Sequence, residues 1–239
     1  MEAPAFAVCL IARGSGKLIL TDKKNELSMD AATKIAAQIR SKPNTNLGLP
    51  TGRTPVLMYD HLVRLTEQDG LDWSQVNCFA LDEYLNTAAE HSFQRYLETN
   101  LYDRIGFPKA NQHNPSMTDN YDEVIAQHGG LDLAILGIGL NGHIAFNEPG
   151  TPRLSYTQCI WLDQVSREAL SPTFGSLAGT PSKAVTMGIS TILASKQIIM
   201  LAFGDDKKEI VAKAFSNGID PEIPASFLTL HDRVTVLTD

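Results

Sequence analysis

The sequence predicts an α/β fold: a single doubly wound domain over residues 1–239, with a mostly parallel, Rossmann-like sheet and helices on both faces. Three observations predict it. The strand candidates are continuous apolar runs, such as residues 131–138 and 197–203, which reads as burial on both faces. These runs alternate along the chain with segments of helical period. No internal repeat, low-complexity tract or linker divides them, and 43% hydrophobic with 20% charged residues supplies a sizeable core.

Taken in order, Phe6-Ala-Val-Cys-Leu-Ile-Ala12 reads as a strand and Arg13-Gly-Ser-Gly-Lys17 as its turn. Acidic Glu2 before the apolar run and basic residues after it reverse the charge order of a signal peptide. No apolar run is long enough to span a bilayer, so a cytoplasmic protein without a membrane partner is expected. Ser28 is the expected cap of a helix to about Arg40, with Met29, Ala32, Ile35, Ala36 and Ile39 on one face. Residues 45–49 form a short strand. A helix carrying Val56, Leu57, Tyr59, Leu62 and Val63 follows, with Pro55 in its first turn and Thr54 as its cap. Residues 75–81 are the next strand, 92–101 a helix with Phe93, Tyr96 and Leu97 on one side, and 123–127 a short helix ended by Gly129-Gly130. Residues 151–181 hold Pro152, Pro172, Gly175, Gly179 and Pro181 and are the candidate for a mobile lid. A helix from about Asp205 to Asn217 stops at Gly218, a short helix covers 224–231, and a strand covers 234–238.

Charge narrows the function. A net charge of −7 speaks against nucleic acid as a partner, since such binders need a basic face. It leaves room for a small anion held by a few local positive groups. The three cysteines, Cys9, Cys78 and Cys159, are widely spaced in or near apolar runs and read as core residues of a reducing compartment. No histidine or cysteine shows metal-ligand spacing, so no metal is expected.

In a doubly wound sheet, ligands bind beyond the carboxyl ends of the strands. Four chemically notable pieces fall there. Thr51-Gly-Arg-Thr54 opens a helix, where free N–H groups and the helix dipole favour a phosphate; Thr51 and Thr54 add hydroxyls, and Gly52 and Arg53 complete the loop. Its plain alternative is a capped turn. It lacks the spacing of a Walker loop or a dinucleotide fingerprint, which sets aside nucleotide cofactors. Asp82-Glu83 follows an apolar strand. Side-chain alternation lets only one of the two face a cleft, and Asp82 is the candidate base; a helix cap is the alternative. Asn141, His143 and Glu148 stand among Gly137, Gly139 and Gly142, an acid, an amide and an imidazole at a strand mouth, suited to acid/base work. Lys207 sits in the first turn of its helix, where the dipole disfavours a cation unless it faces an anion; the alternative is a solvated Lys beside Asp205 and Asp206.

At these residues the chain resembles the glucosamine-6-phosphate deaminase/isomerase family. The segments that carry the resemblance are Leu47-Gly-Leu-Pro-Thr-Gly-Arg-Thr-Pro55, Leu81-Asp-Glu-Tyr84, Leu136-Gly-Ile-Gly-Leu-Asn-Gly-His-Ile-Ala-Phe-Asn-Glu-Pro-Gly150 and Ile223-Pro-Ala-Ser-Phe-Leu228. The lead-in Gly129-Gly-Leu-Asp132 and the 223–228 segment look closest to the galactosamine 6-phosphate branch. The resemblance implies that Asp82 moves a proton between C2 and C1. It implies that His143 opens the sugar ring with Asn141 and Glu148 beside it, and that the 51–54 loop and Lys207 hold the phosphate. It implies no cofactor. Two positions depart from the pattern. Asn141 stands where many glucosamine-type enzymes carry Asp, and Pro172 stands about where the family has a phosphate-binding Arg, with Arg167 nearby. Residues of the family's allosteric site are not recognisable.

The expected function is therefore an amino-sugar-phosphate deaminase/isomerase, with galactosamine 6-phosphate slightly ahead of glucosamine 6-phosphate. A 6-phosphogluconolactonase-type hydrolase has a related Gly-His segment, but Asn147-Glu-Pro149 departs from it. A sugar-phosphate-sensing domain would need a DNA-binding segment that is not visible. Whether the chain acts as a monomer or a homo-oligomer is left open by the sequence.

Overall fold

The computed structural model describes the backbone of residues 17–20, and residues 24–162 and 164–239. In chain order the elements are β1 (Lys17–Leu20), α1 (Lys24–Ser41), β2 (Asn46–Leu49), α2 (Val56–Asp69), β3 (Asn77–Ala80), β4 (Asp82–Leu85) and α3 (Phe93–Leu97). There follow α4 (Asp103–Ile105), β5 (Gln112–His113), α5 (Tyr121–Gln127), β6 (Leu133–Gly137), β7 (Gln158–Trp161) and α6 (Gln164–Leu170). The chain ends with β8 (Lys183–Thr186), α7 (Ile189–Leu193), β9 (Ile198–Ala202), α8 (Asp205–Ser216) and β10 (Val234–Thr238). The strand expected over residues 6–12 lies outside the described residues.

Seven strands form one sheet in the order β1-β10-β9-β6-β2-β3-β5, with every pairing parallel. Successive residues of its strands enter opposite cores, as a pleat demands. Leu133 and Ile135 join Leu47, Leu49 and Leu201 in one cluster with Ile35 of α1 and Tyr59 and Leu62 of α2. Ala134 and Leu136 join Phe79 and Met200 in the other, with Ile125 of α5, Ile192 of α7 and Ile210 of α8. Apolar runs on both faces are what this arrangement needs, since each fully buried Leu or Ile contributes roughly 1.5–3 kcal/mol. This is the doubly wound architecture that the sequence predicts.

The chain runs outward through β2, β3 and β5, then returns to place β6 on the other side of β2. Strand order therefore reverses between β2 and β6, and the crevice beyond their carboxyl ends is the natural ligand site. A second sheet, β4-β8-β7, is wholly antiparallel. Leu81 alone separates β3 from β4.

The structure corrects several local expectations. Helix α1 begins at Lys24, so Ser28 lies inside it, buried and with no partner for its Oγ among the described residues, while Met29 is 48% exposed. Burial of Leu27 pulls the extra turn into the helix against the capping preference of Ser28. Pro55, not Thr54, precedes α2, and no side chain caps that helix; the Pro55 carbonyl accepts from Tyr59 N at 3.0 Å. The helix expected over 92–101 is α3, capped by Ser92 Oγ accepting from Arg95 N, followed by a π-helical turn, Glu98–Tyr102. Strands β4 and β8 and helix α7 are four or five residues long and left no periodic signal.

Candidate active site

The four pieces singled out in the sequence follow β2, β3, β6 and β9, four strands that are neighbours in the sheet. A cavity of about 880 Å³ opens at this end. Its wall includes Thr51, Gly52, Arg53, Thr54, Asp82, Gly139 and His143. Asn141 and Glu148 stand behind His143, outside the wall, and so does Lys207.

Asp82 and Glu83 divide as alternation requires. Glu83 is 3% exposed and turned away from the cavity. Its Oε1 accepts from the backbone N–H of Tyr84 and Phe93, and its Oε2 from the Gln94 N–H and Asn114 Nδ2, all at 2.8 Å. It thus holds the start of α3 and realises the helix-cap alternative. Asp82 lines the cavity, and its Oδ1 is buried with no hydrogen-bond partner among the described residues. Burial, with Glu83 next to it, pushes the Asp82 carboxyl up to about 8. A carboxyl of that kind exchanges protons near neutrality, as a general base or acid must.

The imidazole is held by a relay. Asn141 Nδ2 donates to Glu148 Oε2 at 2.6 Å, and Asn141 Oδ1 accepts from His143 Nδ1 at 2.8 Å and from the His143 N–H at 3.2 Å. Glu148 Oε1 lies 3.4 Å from the same Nδ1. A carboxylate only accepts, which fixes the amide's orientation and, through its Oδ1, a proton on Nδ1. Nε2 is left with its lone pair free to take a proton from a ligand. Glycine makes the seat: a Cβ on Gly139 would run into the His143 ring, and Gly142 turns at φ +85° where a Cβ would strike Ile223.

The 51–54 loop turns at Gly52, φ +88°, where glycine meets no steric penalty. Arg53 and Lys207 are close enough that Arg53 adds to the depression of the Lys207 amine, which burial causes first and Asp206 opposes. Among the described residues neither cation forms a salt bridge, whereas at the other end of the sheet Asp132 is matched by Lys42 and Lys196 at 2.6 and 2.8 Å. Unmatched positive charge beside a free-N–H loop suits an anion.

Sequence reasoning missed the opposite wall. Tyr84, Phe93, Phe146 and Phe174 form an aromatic cluster with ring centroids 4.4–5.9 Å apart, and all four line the cavity. His91 packs 5.0 Å from Phe174 and lines it too. The shared face of Phe93 and Tyr96 was a signal for part of this wall; His91 gave none. Leu170, Pro172, Thr173 and Phe174 bring the candidate lid segment over the cavity. Arg167 is committed elsewhere, its Nη2 donating to the Leu177 and Thr180 carbonyls at 3.0 and 3.2 Å. His231 likewise contacts the Ser195 carbonyl at 2.7 Å, away from the wall. Among the described residues no group of three His, Cys, Asp or Glu side chains is placed to hold a metal ion, and no helix is long and apolar enough to cross a membrane.

Comparison with known proteins identifies the family. The chain is 41% identical over 233 residues to a glucosamine-6-phosphate deaminase of Clostridium botulinum, covering 93% of this chain and 96% of that one. A solved structure described as a monomeric glucosamine-6-phosphate deaminase superposes with a TM-score of 0.88 at 37% identity, covering 93% and 96% of the two chains. A 6-phosphogluconolactonase from Plasmodium vivax shares the fold, with a TM-score of 0.73 at 18% identity over 93% and 89%. The family model for glucosamine-6-phosphate isomerases and 6-phosphogluconolactonase matches residues 22–237, and the chain belongs to that family.

Proposed function

We propose that this chain is an amino-sugar-phosphate deaminase/isomerase that converts glucosamine 6-phosphate to fructose 6-phosphate and ammonia. The observation that carries the reading is one cavity lined by both a buried, unpartnered Asp82 carboxyl and a His143 whose Nδ1 is committed to Asn141. The relatives named for glucosamine 6-phosphate favour that sugar over galactosamine 6-phosphate.

The roles follow from position. The 51–54 loop holds the phosphate through its N–H groups and hydroxyls, with Arg53 and Lys207 supplying charge. Arg53 on the wall, rather than Arg167, compensates for Pro172. His143 Nε2 takes the O1 proton and returns one to O5, which opens the ring. Asp82 removes the C2 proton and delivers it to C1, giving an imine at C2. Water adds to that carbon and ammonia leaves, so the atoms balance as sugar phosphate plus water to ketose phosphate plus ammonia. The chemistry requires no cofactor. The free thiols of Cys78 and Cys159 fit a cytoplasmic enzyme.

The test is ammonia release from glucosamine 6-phosphate and galactosamine 6-phosphate in parallel, with 6-phosphogluconolactone hydrolysis as the control. Faster release from the gluco sugar is expected. Faster release from the galacto sugar would reassign the substrate, and hydrolysis of the lactone without ammonia release would overturn the reading.

A further inference from the structure

Two tyrosine hydroxyls grip the loop between β2 and α2. Tyr59, on α2, donates to the Pro50 carbonyl at 2.6 Å, and Tyr96, on α3, donates to the Gly52 carbonyl at 2.5 Å. Their rings meet edge to face with centroids 6.3 Å apart. Burial drives both phenols above the ordinary tyrosine range, so both remain protonated donors wherever the enzyme works.

The grip has a geometric consequence. Among the described residues there are no cis peptides, and in a trans peptide the carbonyl and the following N–H point in opposite directions. Holding the Pro50 carbonyl turns the Thr51 N–H away from Tyr59. Holding the Gly52 carbonyl turns the Arg53 N–H away from Tyr96. Among the described residues, no acceptor meets any backbone N–H from 51 to 54. Thr51, Gly52, Arg53 and Tyr96 all line the cavity, whereas Tyr59 is fully buried in the core, so it is the N–H turned away from Tyr59, that of Thr51, which the grip directs toward the cavity.

We propose that Tyr59 and Tyr96 are positioning residues that lock two peptide planes of the loop, Tyr59 aiming the Thr51 N–H at the phosphate of the substrate and Tyr96 fixing the turn at Gly52 beside it. The proposal rests on the amino-sugar-phosphate reading and extends it. A six-residue loop with a glycine at its turn has many conformations in isolation, and fixing two of its peptides before binding removes that ordering cost from the affinity. The two hydroxyls come from different helices, so α2 and α3 together set the loop.

Three variants test this: Tyr96→Phe, Tyr59→Phe and, as a control, Tyr102→Phe, whose buried hydroxyl contacts Cys78 rather than the loop. Each is assayed for ammonia release from glucosamine 6-phosphate and for binding of inorganic phosphate by thermal shift. In Tyr96→Phe, KM and the phosphate dissociation constant should rise together about tenfold, the effect of one lost hydrogen bond to a preorganised group. Its kcat should stay within about twofold of the parent, since the reacting carbons are untouched. Tyr102→Phe should lower Tm and leave both constants unchanged. Unchanged phosphate binding in Tyr96→Phe, or an equal rise in Tyr102→Phe, would overturn the proposal, as would failure of the parent to bind phosphate. Should Tyr59→Phe not fold, Tyr96→Phe decides alone. A parent that binds phosphate but releases no ammonia from either sugar would sink the deaminase reading while the phosphate measurements still judge the tyrosines.

Discussion

Asp82 and Glu83 are neighbours in sequence and opposites in environment: both Glu83 oxygens are fully bonded, whereas Asp82 Oδ1 has no partner among the described residues. One carboxyl builds the wall and the other is left to react. This division decides what substitutions at the two positions do.

Asp82→Asn should abolish turnover and leave phosphate binding intact. It should also change the pH dependence of stability. The folded pKa of Asp82, about 8, lies above the unfolded value near the ordinary 3.8, so between these pH values the folded state holds the extra proton. The parent therefore loses stability as pH rises through that window, and Asp82→Asn does not. Denaturant midpoints at pH 5 and pH 8 should diverge for the parent and variant, with the variant the more stable at pH 8 by roughly 1–3 kcal/mol.

Glu83→Gln should destabilise the protein by roughly 1–3 kcal/mol, because an amide nitrogen would face donors that now meet a carboxylate oxygen. The Asp82 carboxyl, relieved of a neighbouring charge, should titrate lower. Urea unfolding and the pH profile of kcat report the two effects separately. An unchanged profile would mean that burial alone sets the base.

Asn141→Asp should destabilise the protein at neutral pH by roughly 1–3 kcal/mol, because the amide that now donates to Glu148 Oε2 at 2.6 Å would become a second carboxylate facing the first. The loss should shrink as pH falls and the two acids come to share a proton. Urea midpoints at pH 5 and pH 8 check this, and equal stability of parent and variant at both would mean that the relay does not need the amide donor.

Gly139→Ala should leave a folded protein with kcat reduced by about 100-fold or more, since the methyl group displaces the His143 ring from its seat. Circular dichroism and single-substrate kinetics are sufficient. Full activity would show that the ring position is not critical.

Much of this is legible in the sequence, and the reason is physical. Glycines and polar residues that interrupt a buried apolar run must sit at a strand end, which places 51–54, 82–83, 141–143 and 204–207 at one end of the sheet. The smaller sheet was not legible. Its strands have four residues each, β4 starts with two acids, and β7 exposes Gln158, Cys159 and Trp161, so no periodic burial marks them. The aromatic wall was hidden for a different reason: Tyr84, Phe93, Phe146 and Phe174 meet only in three dimensions. Ser28 misled because local capping chemistry lost to core burial of Leu27.

The single residue between β3 and β4 belongs to both sheets: the Leu81 N–H donates to the Leu49 carbonyl of β2 at 3.3 Å, and the Leu81 carbonyl accepts from the Met187 N–H, next after β8, at 2.7 Å. The reactive carboxyl that follows it is therefore seated at a seam, like a keystone that bears on both halves of an arch.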